Sequence, residues 1–484
     1  HATRIMEDLD ANRTPDQLLL MLLGTAGTGN TWTVRTAISE LTKLVTLMKQ
    51  KASFVRVAAP TGSAAFTLQF GATTIHRLIH WFTPGHFEEI KSDDKLREFQ
   101  TFLQDTHFWF LDELSMIGRQ MLGRIDARAE QGKASKNPEG RALGNISTVM
   151  IGDPAQLEAI GDQQLYDIKP HPDTREKPTA QSVQLSNTGL QIYRSFEHVV
   201  ILKTVHRLKT IKEQDDRPLT EDQVLYNLRA ARFLQTLHRL RDLQWTVDDY
   251  HWLMTRKRGM LSMQEQLKFV DAIEIMDFRR KTEEHPDNNC TAYNHAKVRT
   301  FANSHDKPVI KFEAHHAGID QKSGMQMTDK DFRGLPTALE LCEEASVLLI
   351  HNLAVTHGLM NGTRGIVKAI IYAPGTSPNH DELRHRMPAC IVCDFPNYKG
   401  PSFFNVERFP ERKTWLPLLP RTSEQDQNRS VSRTMFALLL AYAITVDKAQ
   451  GMTLEKGKAR LGNARQKLGW SSHCFLDFDT LTIS

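Results

Sequence analysis

The chain has 484 residues, a formal net charge of +4, 40% hydrophobic residues and 24% charged residues. This composition is typical of a soluble globular protein, the length predicts roughly three domains at about 150 residues each, and the mild basicity permits a nucleic-acid partner without requiring one. Five scattered cysteines exclude a disulfide framework, and the apolar runs are far shorter than the ~20 residues of a membrane-spanning helix, so an intracellular protein is expected.

Four short apolar runs in the first 160 residues each end in polar or glycine-rich residues. They lie at residues 18–23, 54–59, 108–111 and 149–151. Such runs predict buried strands of a parallel sheet, and the apolar spacing of Val34, Ile38 and Val45 predicts a helix after the first strand. Ligands of such sheets bind beyond the carboxyl ends of the strands, which is where the polar residues follow.

The later part of the chain alternates between helical and β-like patterns. Residues 130–141 and 167–179 are predicted to be loops, and residues 218–258 are predicted to be helical. From about 308 to 420, short β-like runs alternate with Gly, Pro and Asn, which indicates a small β domain. Residues 424–433 are predicted to be a polar linker before an apolar run at 436–444.

A glycine-rich segment between the first strand and the first helix resembles a phosphate-binding loop. Its glycines let backbone N–H groups turn toward phosphate oxygens, the helix N-terminus favours an anion, and Thr31 is placed to bind Mg²⁺. Asn30 stands where the motif has lysine, and it lacks the charge-assisted hydrogen bond that contributes roughly 1.5–3 kcal/mol. We therefore expect weak ATP binding and slow hydrolysis. The segment reads Gly24-Thr25-Ala26-Gly27-Thr28-Gly29-Asn30-Thr31.

Two further strand ends carry candidate catalytic residues. Asp112 and Glu113 follow the third strand in the Walker B arrangement, in which Asp112 holds Mg²⁺ and Glu113 orients or deprotonates the attacking water. Such a pair is often only a solvated strand end, but its place about 80 residues after a phosphate loop favours function. Gln156 follows the fourth strand and is placed to reach a γ-phosphate, although alone it is a glutamine in a turn.

An aromatic cluster and one cysteine pair leave alternatives open. Trp81, Phe82, His86 and Phe87 either stack on nucleobases or, as is more common, pack beneath a small subdomain. Cys390-x-x-Cys393 has no second pair nearby, so ordinary thiols are expected instead of a zinc site.

Seven sequence blocks stand in a fixed order along the chain. They lie at residues 24–29, 59–65, 74–76, 112–116, 152–157, 352–365 and 440–454. Together they resemble the ordered motifs of the Pif-one family of superfamily-one DNA helicases, and the sequence is also similar to helicases of Helitron-type mobile elements. The resemblance covers nearly the whole chain.

This resemblance implies an α/β fold of two RecA-like P-loop domains with a small β-barrel-like insertion in the second. The implied division is 1–195, with a small subdomain at about 77–105, then 196–307, the insertion at 308–422, and 423–484. It also implies ATP and Mg²⁺ as cofactors, and single-stranded DNA and duplex junctions as partners. The implied activity is five-prime to three-prime unwinding by a monomer, in the nucleus or mitochondrion, in DNA repair, recombination and telomere maintenance.

Site residues are carried over from the family by motif. Thr31 and Asp112 are the implied Mg²⁺ ligands and Glu113 the implied base, while Gln156 and Arg207 sense the γ-phosphate. The implied DNA contacts are Pro60, Thr61, His76, Lys448, Gln450 and Gly451.

The chain also departs from the family pattern. Asn30 replaces a lysine, Asp447 a histidine and Glu158 a proline. The family's last motif, whose arginine finger is worth about 10³–10⁵ in rate in related systems, is not recognisable after Gly469. The alternative reading is therefore a catalytically inactive single-stranded-DNA-binding relic or scaffold. A nucleotide-binding protein unrelated to DNA would leave the second-half motifs unexplained.

Overall fold

The structure is a computed structural model in which the described residues form two compact units. Unit 1 comprises His1–Glu265, and unit 2 comprises Gln266–Met452 with residues 456–460. The described ranges are 1–11, 13–25, 27–81, 87–134, 140–168, 179–206, 211, 218–276, 289–382, 385–425, 428–450, 452 and 456–460. Within these ranges, no helix is both long enough and apolar enough to cross a membrane.

Unit 1 is built on a six-stranded sheet in which every strand pair is parallel. The spatial order of the strands is β3-β2-β4-β5-β1-β6. The four strands expected from the sequence are all present, so the predicted parallel sheet is confirmed. The strands are β1 (Leu19–Gly24), β2 (Val55–Ala59), β3 (Thr73–Thr74), β4 (Phe108–Leu111), β5 (Ser147–Gly152) and β6 (His198–Leu202).

Helices cover both faces of this sheet. All four residues of β4 are buried, with Phe108 and Phe110 in one apolar cluster and Trp109 and Leu111 in another. A strand buried on both faces needs an unbroken apolar sequence, which is why this run could be recognised. The helices are α1 (Ala2–Asp10), α2 (Asn30–Leu47), α3 (Gly62–Leu68), α4 (Ile75–Leu78), α5 (Asp93–Leu103), α6 (Arg119–Lys133), α7 (Ala180–Arg194), α8 (Glu221–Arg241) and α9 (Val247–Met254).

Two expectations for unit 1 need correction. Strand β6 pairs in parallel with β1, so the first sheet includes residues beyond 195, which the sequence assigned to the second domain. Helix α6 continues through Lys133, because its buried residues recur at helical spacing, so the first part of the predicted 130–141 loop is helical. Residues 135–139 of that predicted loop lie outside the described residues. Most of the predicted 167–179 loop lies outside the described residues.

Unit 2 combines a small parallel sheet with antiparallel β structure. Its parallel sheet has the order β18-β7-β19, and its largest antiparallel sheet has the order β14-β13-β12-β11-β17. Smaller antiparallel sheets are β15-β16-β9 and β10-β8. The strands are β7 (Ile273–Met276), β8 (Ile310–Glu313), β9 (His315–Ala317), β10 (Ala338–Leu341), β11 (Ser346–Leu349), β12 (Arg364–Ile371), β13 (Cys390–Asp394), β14 (Trp415–Leu418), β15 (Arg421–Glu424), β16 (Ser432–Met435), β17 (Leu438–Leu440), β18 (Ala443–Thr445) and β19 (Gly457–Ala459).

Four helices belong to this half of the chain or lie at its border. They are α10 (Met263–Leu267) at the boundary of the units, α11 (Cys290–Ser304), α12 (Gln321–Gln326) and α13 (Val446–Ala449). The expected small β domain is present, but its antiparallel strands continue past residue 422. The predicted linker at 424–433 is instead part of a hairpin in which Glu424 of β15 pairs with Ser432 of β16. Cys390 and Cys393 lie on β13 as free thiols.

A fully buried arginine on β16 connects that strand to residues 316–335 of unit 2. Arg433 donates through Nη1 to the carbonyl of Leu335 at 2.9 Å and through Nη2 to the carbonyl of Gly324 at 2.9 Å. Its guanidinium lies 3.5 Å from the buried carboxylate of Asp329, and its Nε donates to His316 Nε2 at 2.9 Å. Burial and the nearby Arg433 lower the pKa of His316, which keeps the imidazole neutral and able to accept this bond.

We expect Arg433→Met to destabilise unit 2 by about 3–5 kcal/mol, because Asp329 would lose the cation that offsets its burial. Arg421→Met is the matched control, since Arg421 lies on the adjacent strand β15 and is exposed. Urea unfolding of the full chain, followed by circular dichroism, measures the difference. Equal midpoints for the two variants would contradict the role assigned to Arg433.

Unit 1 contains a buried carboxyl that makes its stability depend on pH. Asp126 of α6 accepts a hydrogen bond from the backbone N–H of Leu143 at 2.6 Å and is 6% exposed. Burial raises the pKa of Asp126 from 3.8 to about 6. The carboxyl of Asp126 therefore binds its proton more tightly in the folded state than in the unfolded chain. The stabilisation that this proton gives the folded state is fully present below about pH 4 and is lost as the pH rises through about 6.

Asp126→Asn keeps the acceptor and removes the charge. We expect the variant to match the wild type near pH 4 and to exceed its unfolding free energy by about 3 kcal/mol near pH 8. Denaturant titrations at a series of pH values test this, with exposed Glu7→Gln as the control. A difference between Asp126→Asn and wild type that stays constant with pH would rule out the assignment.

Candidate functional site

The predicted site residues of unit 1 lie at one edge of its sheet. Because every strand pair is parallel, the carboxyl ends of β1, β2, β4 and β5 share that edge, and neighbouring strands are about 4.8 Å apart. The register places Leu23 of β1 opposite Gly152 of β5, and Leu111 of β4 opposite both Met150 of β5 and Ala58 of β2. The phosphate-loop candidate, the acidic pair and the glutamine turn therefore begin side by side.

The phosphate-loop candidate has the backbone that such a loop requires. Gly27 has φ +86° and Gly29 has φ +91°, a region that residues with a side chain rarely adopt. Gly29 caps α2, and the Thr28 hydroxyl donates to the carbonyl of Thr25 at 2.7 Å. His206, from the segment after β6, donates its backbone N–H to the carbonyl of Gly27 at 2.6 Å. The loop is therefore held by a hydrogen bond from one of its own side chains and by a second hydrogen bond from the segment after β6.

Asn30 folds back into the base of this loop. Its Nδ2 donates to the carbonyl of Gly24 at 2.8 Å. Its Oδ1 is buried and has no hydrogen-bond partner among the residues that the structure describes. A Cβ on Gly24 would lie 2.6 Å from that oxygen and 2.4 Å from Thr28 Oγ1, so only glycine fits there. The structure thus places a neutral amide, and no cation, where the motif has its lysine.

The acidic pair occupies a turn with an unusual backbone. Asp112 donates its N–H to the carbonyl of Ala58 at 3.0 Å, and Glu113 has φ +56° and ψ +53°. Gly152, at the end of β5, faces this turn, and a Cβ there would lie 2.7 Å from the backbone nitrogen of Leu114. Strained conformations of residues with side chains persist only where surrounding contacts hold them, and they concentrate at functional sites.

Comparison with known proteins agrees with this geometry. A family model described as an AAA domain matches residues 10–176. The chain is 23% identical over 489 residues to "ATP-dependent DNA helicase PIF1" of Emericella nidulans, covering 93% of this chain and 55% of that protein. It is 22% identical over 488 residues to the protein of the same name from Candida albicans, covering 90% and 49%. The chain spans about half the length of the curated relatives it matches.

Solved structures of such helicases share the fold. The crystal structure of Pif1 helicase from Candida albicans matches with a TM-score of 0.63 at 19% identity, covering 99% of this chain and 91% of that one. The Bacteroides Pif1 helicase in complex with ADP-AlF3 and ssDNA matches with a TM-score of 0.58 at 19% identity and the same coverage. The chain is therefore similar to Pif1 (Pif-one) helicases over nearly its whole length, as the ordered sequence motifs led us to expect. Its α/β fold, with a parallel sheet flanked by helices and an additional antiparallel region, is shared with these solved structures.

The turn that contains Gln156 is held by a contact that the sequence did not predict. Asp153 is 2% exposed; its Oδ1 accepts from the Ala155 N–H at 3.1 Å, and its carbonyl accepts from the Gln156 N–H at 3.1 Å. Arg241, the last residue of α8, donates through Nη2 to the same Oδ1 at 2.9 Å. No local sequence signal reports this pair, because its members are 88 positions apart.

Three expected DNA contacts follow strands β2 and β3 at the same edge. Thr61 caps α3, its hydroxyl accepting from the Ala64 N–H at 3.2 Å, and half-buried Pro60 precedes it. His76, after β3, is exposed and stacked on Trp81, with ring centroids 4.9 Å apart and planes at 22°. Although one side of the His76 ring is open, desolvation by the protein atoms around it, and then Arg124, which lies 4.8 Å over Trp81, lower the pKa of His76, which favours the neutral imidazole at pH 7.

The aromatic cluster beside His76 is mainly a packing feature. Trp81 is half-buried against the core, and Phe87 is a core residue with 6% exposure. Phe82 and His86 lie outside the described residues. The packing alternative therefore holds for Trp81 and Phe87, and the exposed ring of the group is His76.

In unit 2, the expected motif V residues follow the end of β18. Lys448 lies on α13, directs Nζ toward Asn361 Oδ1 at 3.4 Å and lines a cavity of about 320 Å³ with Thr445, Lys311 and others. Gln450 is 8% exposed, and its Nε2 is buried with no hydrogen-bond partner among the described residues. Three predicted site residues, Ala26, Arg207 and Gly451, lie outside the described residues.

The oxygen donors of unit 1 fit a magnesium ion. Thr31 is the second residue of α2, at the N-terminus that follows the phosphate-loop candidate, and Asp112 follows β4. Hydroxyl and carboxylate oxygens are ligands that Mg²⁺ prefers. Burial raises the pKa of Asp112 to about 6, although a backbone hydrogen bond from Glu113 acts in the opposite direction. A buried carboxylate of this kind is stabilised by a nearby cation.

Gly152→Ala should distort the acidic turn, because the new Cβ would contact Leu114 and Gly152 has φ +150°. We expect a loss of about 2 kcal/mol or more in the unfolding free energy. Gly259→Ala is the matched control, since a Cβ there meets nothing within 4 Å. Thermal unfolding of both variants measures the effect, and a Gly152→Ala protein as stable as the control would contradict the close approach.

Proposed function

We propose that this chain is the motor of an ATP-dependent DNA helicase that unwinds duplex DNA in the five-prime to three-prime direction. The observation that carries the proposal is the shared edge of the parallel sheet, where the phosphate loop, Asp112, Glu113 and the Gln156 turn all begin. The similarity to Pif1 helicases supports it, as does the Bacteroides Pif1 helicase, whose structure is in complex with ADP-AlF3 and ssDNA.

The residues of this edge divide the chemistry among them. Backbone N–H groups of the phosphate loop, with the N-terminus of α2, would bind phosphate oxygens of ATP. Thr31 and Asp112 would hold Mg²⁺, which neutralises phosphate charge when bound. Glu113 would accept the proton of the attacking water, and Gln156 would respond to the γ-phosphate. Arg207 is proposed as a second γ-phosphate sensor from the motif alone.

The proposed partners are single-stranded DNA and duplex junctions. Pro60, Thr61 and His76 supply the contacts in unit 1, where a neutral, exposed His76 ring is suited to stacking on a base. Lys448 and Gln450 supply contacts in unit 2, and Gly451 is included from the motif. A monomeric state, a nuclear or mitochondrial location, and roles in repair, recombination and telomere maintenance stay predictions.

Asn30 supports a second candidate function. In a motor of this kind, a lysine ammonium offsets charge on the β and γ phosphates. The Asn30 amide instead donates a hydrogen bond to the Gly24 carbonyl. A chain with the fold and the DNA-binding residues but without this charge would be a single-stranded-DNA-binding relic or scaffold. ATP turnover separates the two functions.

Asn30→Lys should raise the ATP turnover of the chain by about tenfold to a hundredfold, the range that 1.5–3 kcal/mol of charge-assisted bonding represents. Hydrolysis is measured with and without single-stranded DNA. Ala37→Lys adds the same charge at an exposed position of α2 and serves as the control. Glu113→Gln should abolish the turnover of either background.

The outcomes of this assay are distinct. DNA-stimulated turnover by the unaltered chain at the rate of Asn30→Lys would support the helicase and show that the interpretation of Asn30 is wrong. If both proteins bind single strands but neither hydrolyses ATP, the relic or scaffold is supported. If neither ATP turnover nor DNA binding occurs, both proposals fail.

A further inference from the structure

A long loop in unit 2 carries an aromatic and basic surface that none of the family motifs includes. The loop spans residues 395–414 and joins β13 to β14. Connections longer than about 12–15 residues are uncommon in compact domains and usually have a function or lack a fixed structure. This loop has a fixed structure: Ser402 Oγ donates to the Lys413 carbonyl at 2.9 Å, and Asn405 Oδ1 accepts from the Arg408 N–H at 3.1 Å.

Aromatic rings and cations alternate on this loop. Phe404 lies 5.2 Å from Phe403 and 6.4 Å from Trp415, measured between ring centroids. The guanidinium carbon of Arg412 lies 4.2 Å over Phe409 and 5.2 Å over Trp415. These separations are within the range of cation–π attraction, which holds the rings in place. We call the surface formed by Phe403, Phe404, Arg408, Phe409, Arg412, Lys413 and Trp415 the loop face.

Phe403 is the ring of the loop face that is exposed to solvent and that a ligand can therefore contact. It is 64% exposed, and it is not part of the apolar core of unit 2. Exposed Arg408 stands 5.2 Å over Phe409, and Lys413 is also exposed. The hydrogen bond between Ser402 and the Lys413 carbonyl holds the backbone of this cation close to the exposed ring, so both belong to one surface that a ligand can reach.

The charge of the loop favours an anionic partner. Residues 395–414 contain four cations, Lys399, Arg408, Arg412 and Lys413, and two carboxylates, Glu407 and Glu411, which leaves a net charge of +2. Glu411 is ion-paired with Arg412 at 3.3 Å. Arg408 and Lys413 of the loop face are exposed, as is Lys399 of the same loop, so phosphates can approach these cations.

We propose that the loop face binds a single-stranded segment of nucleic acid, with a base stacked on Phe403 and phosphates contacting Arg408 and Lys413. This inference rests on the proposed DNA-binding function and adds a subsite to it. Unpaired bases are required, because the bases of a duplex are stacked on one another and do not expose their faces. Aromatic platforms with adjacent cations bind single strands in this way with little sequence preference.

The test is the affinity of the full chain for a fluorescein-labelled oligothymidylate, measured by anisotropy at several salt concentrations. Phe403→Ala should bind at least about five-fold more weakly, and Phe403→Trp should retain the wild-type affinity, because stacking survives. Arg408→Gln should lower the slope of log affinity against log salt by about 1. Leu419→Ala and Arg421→Gln are matched controls at exposed positions of unit 2.

The results separate this inference from the proposed function. Weaker binding by Phe403→Ala but not by Leu419→Ala supports the loop face. Wild-type binding that Phe403→Ala leaves unchanged overturns the loop face while the DNA-binding function stands, and it assigns the surface to another kind of partner. A wild-type chain that does not bind the oligonucleotide overturns the proposed function, and the loop face with it.

Discussion

Parallel pairing in the sheet of unit 1 is the constraint on which the candidate site depends. Each strand of that sheet ends at the same edge, so residues far apart in sequence reach one place. Such a sheet must be covered on both faces. Strand β4 illustrates this, because its alternate residues lie in two different apolar clusters. Removing the cover from either face would therefore disturb the edge as well as the core.

Much of this arrangement could be predicted because its causes are local. An unbroken apolar run such as residues 108–111 and a loop with glycines at positions of positive φ both leave direct traces in the sequence. The hairpin at 421–435 leaves no such trace in the sequence, because one of its inward-facing residues is Arg433, whose charge is offset by groups more than 90 positions away. A polar sequence there resembles a linker until those partners are known.

The candidate site shows the same division between local and distant causes. Asp112 and Glu113 were recognisable from the strand that precedes them, but the turn they occupy depends on Gly152, and the Gln156 turn depends on Arg241. Asn30 was recognisable as a departure from the motif, whereas its hydrogen bond to Gly24 leaves no trace in the sequence. Residue types were therefore predictable where a motif names them, and their supporting contacts were not.

The pair formed by Asp153 and Arg241 sets the extent of the folded unit 1. Residues 1–195 contain every predicted unit 1 motif that lies before Arg207, yet they lack both β6 and the end of α8. A carboxylate that is 2% exposed cannot lose its guanidinium without a large cost in free energy. The shortest piece of this chain that keeps the Gln156 turn as described therefore extends through Arg241, well beyond the last strand of the sheet.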